Sequence, residues 1–218
     1  MIRRLIFLSL LWLLPACAEA ARTILVFGDS ISAGYGLDAG TGWVALLSQR
    51  LKTLGAPYEV INASVSGETT AGGISRLGDA LKLYKPAVVL LELGANDGLR
   101  GQPPTVMQGN LETMIDMARA GGAQPLLFEM RMPNNYGPAY TQRFDQSFHN
   151  AAAARKIPLV PFFLGAVAAD ADHWFQDDGI HPNAAAQPQL LDAVWGSLAP
   201  AIGLAGKNVA ASKPPPHP

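Results

Sequence analysis

The chain has 218 residues, of which 49% are hydrophobic and 15% are charged, and its formal net charge is −1. This length and composition allow one sizeable core, which predicts a single globular domain and excludes a largely disordered protein. The near-neutral charge provides no strong field for nucleic acid or an anionic membrane surface, so we expect no nucleic-acid partner.

The first 20 residues have the order of a secretory signal peptide, which predicts export. Arg3 and Arg4 precede an apolar run over residues 5–14, and small residues end the segment at Ala20. The run is shorter than the roughly 20 apolar residues that a membrane-spanning helix needs, so we expect no stable membrane span. We therefore expect residues 1–20 to be removed and the protein to be periplasmic or secreted.

The single cysteine, Cys17, lies within this segment. Cleavage after Ala20 would leave a mature chain without disulfides, cysteine catalysis or cysteine metal ligands. Leu14-Pro15-Ala16-Cys17 resembles a bacterial lipoprotein cleavage box, so lipid attachment at Cys17 is an alternative to simple removal.

Strand-like and helical segments alternate through the rest of the chain. Five short runs rich in Val, Ile and Leu lack polar alternation, as strands buried on both faces do. These predicted strands cover residues 23–27, 58–62, 87–93, 125–130 and 158–161. Apolar residues with helical spacing predict helices over residues 43–54, 70–84, 105–120, 139–155 and 184–202. The alternation predicts right-handed crossovers and a parallel sheet with helices on both faces.

The predicted α/β domain covers residues 21–206. Residues 207–218 are rich in proline and lack apolar periodicity, which predicts a disordered tail.

Ser30 follows the first predicted strand by three residues, after Gly28 and Asp29. In open parallel sheets, ligands bind beyond the carboxyl ends of the strands. Ser30 is therefore a candidate nucleophile, although Ser30 or Asp29 could also serve only as a helix cap. A serine nucleophile needs a base within hydrogen-bond reach and a carboxylate that orients the base.

Two of the four histidines, His173 and His181, follow an aspartate by three positions. Asp170 and His173 fit a short helix on which they would be surface neighbours. Asp178 and His181 lie in a glycine- and proline-containing loop, which can fold the carboxylate onto one ring nitrogen and leave the other for Ser30. The spacing favours His181 as the base but does not exclude His173.

Two further loops that follow predicted strands contain hydrogen-bond donors. Gly67 can present its backbone amide without side-chain obstruction, and Asn96 lies between glycines. Such donors stabilise the oxyanion of an acyl-transfer reaction. Gly and Asn are also common turn residues, so either loop taken alone is better explained as a plain turn.

Together these segments resemble the four ordered blocks of the SGNH hydrolases, also called GDSL esterases/lipases. The blocks are Gly28-Asp29-Ser30, Ser66-Gly67, Gly94-Ala95-Asn96-Asp97 and Asp178-Gly179-Ile180-His181. Ile31 replaces the leucine of the family's name. The longer strings over residues 91–101, 135–137 and 176–183 are similar to the exported bacterial TesA-type branch of acyl-CoA thioesterases, lysophospholipases and arylesterases.

The resemblance implies a flavodoxin-like three-layer αβα sandwich with a five-stranded parallel sheet. It implies that Ser30 is the nucleophile, His181 the general base and then acid, and Asp178 the residue that orients His181. The oxyanion would bind the backbone amides of Ser30 and Gly67 and the side chain of Asn96. The expected activity is hydrolysis of small-molecule fatty acyl esters and thioesters by a monomer, with no metal or organic cofactor.

Three alternatives stay open at this point. The first is a carbohydrate acetylesterase of the same family, and the second is a non-catalytic acyl carrier on the same scaffold. The third is a metal-dependent hydrolase, because carboxylates and imidazoles bind divalent metals. Its ligands would come from Asp170, Asp172, His173, Asp177, Asp178 and His181. Residues 131–140 either form one wall of an apolar acyl groove or are an ordinary surface loop.

Overall fold

The computed structural model describes residues 21–207. The predicted signal peptide, with Cys17, and all but the first residue of the predicted tail lie outside the described residues. None of the helices between residues 21 and 207 is long and apolar enough to cross a membrane.

Strands and helices alternate along the described chain, as the sequence predicts. In chain order they are β1 (Arg22–Gly28), α1 (Ser30–Ala33), α2 (Trp43–Thr53), β2 (Tyr58–Asn62), α3 (Thr70–Tyr84), β3 (Val88–Glu92), α4 (Ala95–Leu99), α5 (Pro104–Ala120), β4 (Gln124–Phe128), α6 (Pro138–Arg155), β5 (Leu159–Val160), α7 (Ala171–Trp174) and α8 (Gln187–Ala201). Short 3-10 turns cover Asn134–Tyr136, Phe163–Ala166, Ala168–Asp170 and Ala184–Ala186.

The strands form one five-stranded parallel sheet in the order β2-β1-β3-β4-β5. This is the flavodoxin-like order, so the predicted fold is confirmed. The chain runs outward from β1 to β2 and then crosses back to β3, which places a topological switch point between β1 and β3. Gly28, the last residue of β1, lies opposite Glu92, the last residue of β3. The loops that leave these two strands therefore begin side by side.

Helices cover both faces of the sheet and complete the three layers. Helices α2 and α8 pack together on one face, and α3, α5 and α6 pack together on the other. Trp43, at the start of α2, is fully buried against the rings of Phe128 and Phe163. Full burial of a large apolar side chain contributes roughly 1.5–3 kcal/mol, so contacts of this kind hold the layers together.

Five strands and five helices were predicted, and the boundaries of the first nine of these elements agree with the structure to within two residues. The last predicted helix, 184–202, differs. Residues Ala184–Ala186 form a 3-10 turn, and the α-helix begins only at Gln187. The side chain of Asn183 accepts hydrogen bonds from the amides of Ala185 and Ala186, which stabilises the tighter turn. The predicted loop around Asn96 is also partly helical, because α4 occupies Ala95–Leu99. One turn of helix is too short to produce a visible apolar period.

Candidate active site

Ser30 lies at the first residue of α1, immediately beyond the end of β1. Asp29 is the N-cap of this helix, because its Oδ1 accepts the amide hydrogen of Ile31 at 3.0 Å. The helix ends after one turn at Gly34, whose φ of 78° is in the left-handed region that glycine tolerates. Asp29 rather than Ser30 is therefore the cap, and the Ser30 hydroxyl is available for another contact.

That contact is with His181, which joins Ser30 to Asp178. His181 Nε2 lies 2.9 Å from Ser30 Oγ, and His181 Nδ1 lies 2.6 Å from Asp178 Oδ2. The second carboxylate oxygen, Asp178 Oδ1, accepts the amide hydrogens of Ile180 and His181, both at 2.9 Å. One short loop thus holds the carboxylate and the imidazole in a fixed relation.

The electrostatics of this arrangement keep Asp178 ionised. The backbone amide of His181, followed by its imidazole and the amide of Ile180, lowers the pKa of Asp178 from 3.8 to about 2. An ionised carboxylate at Nδ1 favours the tautomer in which Nδ1 carries the proton. Nε2 is then the acceptor that faces Ser30, as a general base requires.

The second candidate base, His173, lies elsewhere. It is exposed on α7, and its ring packs edge-on against Trp174. Asp170 is likewise exposed at the preceding turn. The structure therefore brings His181, and not His173, to Ser30. Among residues 21–207, no group of three or more His, Cys, Asp or Glu side chains has an arrangement that could hold a metal ion.

Gln176 joins the loop that carries His181 to the segment just after α1, the helix that carries Ser30. Gln176 Nε2 donates to the carbonyl oxygen of Tyr35 at 2.9 Å and to that of Pro182 at 3.2 Å. The Tyr35 ring packs on the His181 imidazole, with 4.5 Å between ring centroids. A side chain at Gly36 would overlap Gln176. Neither Gln176 nor Tyr35 was predicted as a site residue, because their contact joins segments 141 residues apart.

Asn96, on the short helix that follows β3, lies beside the turn that carries Ser30. Its Nδ2 donates to Asp29 Oδ2 at 3.1 Å, and this contact orients the side-chain amide beside the Ser30 turn. Since the amide group has a second N–H, it can also donate to a substrate oxygen. The backbone amide of Ser30 makes no hydrogen bond with an acceptor in residues 21–207.

Gly67 lies on the loop after β2, which is bonded to both neighbouring loops. The amide of Val65 donates to the carbonyl oxygen of Gly28 at 3.0 Å, and Arg100 Nη2 donates to the carbonyl oxygen of Gly67 at 2.9 Å. Gly67 has a φ of 77°, and its own amide has no acceptor within the described residues. The three sequence-predicted donors therefore lie on three interlinked loops at one edge of the sheet.

Exposed apolar side chains surround this edge. They are Tyr35, Val65, Leu99, Tyr136 and Ile180. Tyr136 lies in the 131–140 loop, and its hydroxyl donates to the carbonyl oxygen of Leu99 at 3.4 Å. That loop therefore lies against the end of α4. An open depression of about 850 Å³ adjoins the Asp178 side of the site.

Comparison with known proteins gives consistent matches over most of the chain. The sequence profile of the GDSL-like Lipase/Acylhydrolase family matches residues 26–187. Esterase TesA of Pseudomonas aeruginosa is 52% identical over 183 residues, which cover 84% of this chain and 90% of that protein. Thioesterase 1/protease 1/lysophospholipase L1 of Escherichia coli K12 is 42% identical over 190 residues, covering 87% and 89% of the two chains. A crystal structure of TesA superposes with a TM-score of 0.79 at 52% identity, covering 82% of this chain and 99% of that chain.

Proposed function

The chain belongs to the GDSL-like lipase/acylhydrolase family, and we propose that it is an exported serine esterase and thioesterase that forms an acyl-enzyme on Ser30. The observation that carries this proposal is the hydrogen-bonded series from Asp178 through His181 to Ser30 at the switch point of the sheet. The related esterase and thioesterase support the reaction class.

In the proposed first step, Ser30 Oγ attacks the acyl carbonyl carbon while its proton passes to His181 Nε2. The negative oxygen of the tetrahedral intermediate accepts hydrogen bonds from the amides of Ser30 and Gly67 and from Asn96 Nδ2. The acyl–oxygen or acyl–sulfur bond then breaks, and the alcohol or thiol leaves with the proton from His181.

In the second step, water attacks the acyl-enzyme while His181 accepts one of its protons. Collapse of the second intermediate releases the carboxylic acid and returns the proton to Ser30 Oγ. Asp178 keeps the imidazole in the productive tautomer and stabilises the imidazolium that forms in each step.

We propose fatty acyl esters and thioesters as the substrate class, including acyl-CoA, lysophospholipids and aryl esters. The exposed apolar residues around the site support this choice, because an acyl chain gains affinity by burying apolar surface. Leu99 and Tyr136, joined by a hydrogen bond, are suitable residues for one wall of the acyl groove. By contrast, the acetyl group of a carbohydrate acetylester is too small to need an apolar groove.

The order of the first 20 residues supports export, with a mature domain from about residue 21 to 206. Mass spectrometry of the mature protein tests this part of the proposal. An N-terminus near Ala21 is expected. A lipid-modified Cys17 would contradict this cleavage site but not export, whereas an intact Met1 would contradict both.

The activity is tested by kcat/KM on acyl-CoA, lysophospholipid and p-nitrophenyl ester series of increasing chain length. Activity on esters and thioesters is expected, with no effect of EDTA. His173→Ala is a matched control for His181→Ala, since each histidine follows an aspartate by three positions. Only the His181 variant should lose turnover. Acyl binding without product would favour a carrier, and loss of activity in EDTA would favour a metal-dependent hydrolase.

The nucleophile is tested by an alkyl phosphonate, which forms a stable covalent bond with an activated serine. Peptide mapping should place the adduct on Ser30 and not on the exposed Ser66 of the neighbouring loop. An unlabelled Ser30 in an active enzyme would refute the assignment.

A further inference from the structure

Two carboxyl groups, Asp29 and Glu92, are buried next to each other beside the Ser30 turn. Their residues are 1% and 0% exposed, respectively. Glu92 Oε2 accepts the amide hydrogen of Asp29 at 3.3 Å and the hydroxyl hydrogen of Ser32 at 2.6 Å. The other oxygen, Glu92 Oε1, is buried without a hydrogen-bond partner. The proposed reaction makes no direct use of Glu92.

The surroundings of the two carboxyl groups differ, because both oxygens of Asp29 accept a hydrogen bond and only one oxygen of Glu92 does. Asp29 accepts one N–H from the amide of Ile31 and a second from the Asn96 side chain. Glu92 is contacted by the amides of Asp29 and Ser32 and by the Ser32 hydroxyl, but its Oε1 has no hydrogen-bond partner. Neither carboxyl forms an ion pair with a Lys, Arg or His side chain of residues 21–207.

A buried carboxylate without a counter-charge is costly, and two adjacent ones are more so. Burial raises the pKa of Glu92 well above its ordinary value, and the neighbouring Asp29 carboxylate raises it further. Burial also raises the pKa of Asp29, to about 6, although Ile31, His181 and Asn96 oppose this effect and Asp97 adds slightly to it. Since both oxygens of Asp29 are hydrogen-bonded and Glu92 Oε1 is buried without a partner, the negative charge is better accommodated on Asp29 and the proton on Glu92.

We propose that Glu92 is a protonated positioning residue that fixes the Ser30 turn relative to the oxyanion donor Asn96. Glu92 holds the backbone of Asp29, and the Asp29 carboxylate in turn holds the Asn96 amide. Ser32, on the first turn of the same helix, is held by the same carboxyl oxygen. The inference rests on the proposed function for its effect on catalysis, but the protonation state does not depend on that function.

The backbone of β1 is shaped to accept this carboxyl group. Gly28 lies opposite Glu92 in the sheet, and a Cβ at Gly28 would overlap Glu92 Oε2 and crowd Ser32 Cβ at 3.0 Å. The absence of a side chain at Gly28 therefore allows the carboxyl group to reach the Asp29 amide. An acceptor on the end of β3 is thereby joined directly to the turn that presents the nucleophile.

The kinetic test compares Glu92→Gln with Glu92→Met, which have side chains of similar length. Glutamine retains a neutral acceptor oxygen, so kcat should stay within about fivefold of the wild-type value. Methionine removes the acceptor of the Asp29 amide. The resulting displacement of the Ser30 turn should lower kcat by about 10- to 100-fold with little change in KM. Equal kcat values for the two variants would overturn the positioning role.

Ser32→Ala provides a second, smaller perturbation if the Glu92 variants do not fold. It removes one donor to Glu92 and should lower kcat several-fold without changing KM. Ser147→Ala is its matched control, because Ser147 is similarly buried but its hydroxyl bonds only to backbone carbonyls near α5 and α6. An unchanged kcat in Ser32→Ala would contradict the proposal.

Infrared difference spectroscopy at pH 7 tests the proton directly. The wild-type spectrum should contain the carbonyl stretch of a protonated carboxylic acid, which disappears in Glu92→Gln and shifts in Ser32→Ala. Ser30→Ala should keep this band while losing hydrolysis, so the two proposals can fail independently. A wild-type enzyme without the band would refute a protonated Glu92.

Discussion

Replacement of Asp178 by asparagine tests the proposed orientation of His181 with almost no change in shape. Asparagine can keep the Oδ1 acceptor that holds the amides of Ile180 and His181. Its amide nitrogen, however, replaces Oδ2 at 2.6 Å from His181 Nδ1, so that an N–H donor faces the protonated ring nitrogen. The imidazole then has to present Nδ1 as an acceptor, which places the proton on Nε2 and removes the base that faces Ser30.

The expected loss follows from this change of tautomer. In serine proteases with a Ser-His-Asp triad, the same substitution lowers kcat by about 10⁴-fold, which corresponds to about 5 kcal/mol of transition-state stabilisation. We expect a decrease of about 10³- to 10⁴-fold here, with a KM close to that of the wild type. Asp178→Ala should reduce kcat to a similar extent, but it also loses both backbone contacts and should lower Tm.

Steady-state kinetics on a p-nitrophenyl ester give the measurement, together with thermal unfolding of each variant. Asp177→Asn is the control, because Asp177 is the exposed neighbour of Asp178 and makes no hydrogen bond or ion pair with His181. If Asp178→Asn kept more than about a tenth of the wild-type kcat, the orienting role of Asp178 would be wrong.

Three further predictions concern the loops around Ser30. Asn96→Ala should lower kcat by about 10²- to 10³-fold with little effect on KM, and an unchanged kcat in ester hydrolysis would remove Asn96 from the oxyanion site. Gly28→Ala should lower Tm by several degrees, because overpacking against Glu92 costs about 1–3 kcal/mol; Gly109→Ala, where an added Cβ has open space, should not. The raised pKa of Asp29 means that the native state binds this proton more tightly than the unfolded state does. Its contribution to the free energy of unfolding should therefore fall as pH rises from about 4 to 6, by about 3 kcal/mol. Urea denaturation over this range should show a steeper fall in the wild type than in Asp29→Asn, because the part of the fall that comes from Glu92 remains in both, and identical slopes would refute the assignment.

Much of the fold is encoded locally, and for that reason it could be predicted from the sequence. Both ends of α3 coincide with the predicted range because the signals lie in adjacent residues. The side chain of Thr69 accepts the amide hydrogen of Gly72, and Lys85 ends the helix in a left-handed conformation. The end of the sheet that carries the site was likewise predictable, because parallel strands bring their following loops to one edge.

The pairing of the site residues was harder to predict from the sequence, because it depends on contacts between distant segments. Ser30 and His181 are 151 residues apart, and spacing alone only favoured His181 over His173. The resemblance to a family supplied the choice, and the structure places the two side chains within hydrogen-bond distance. Glu92 was missed, although an acidic residue at the end of an otherwise apolar buried strand was a visible signal. The role that we propose for Glu92 depends on Asp29 and Ser32, which lie beside it only in the folded protein.

Two of the three proposed oxyanion donors are backbone amides, and this choice affects how the protein can evolve. A main-chain N–H at Ser30 or Gly67 cannot be removed by exchanging a neighbouring side chain, as long as the path of the loop is kept. Val65 and Leu99, on the loops that carry Gly67 and Asn96, are exposed and apolar. Substitutions there can alter which acyl chains bind while the hydrolytic step is preserved. In the proposed site, substrate preference and part of the hydrolytic step therefore depend on different groups, side chains for the first and main-chain amides for the second.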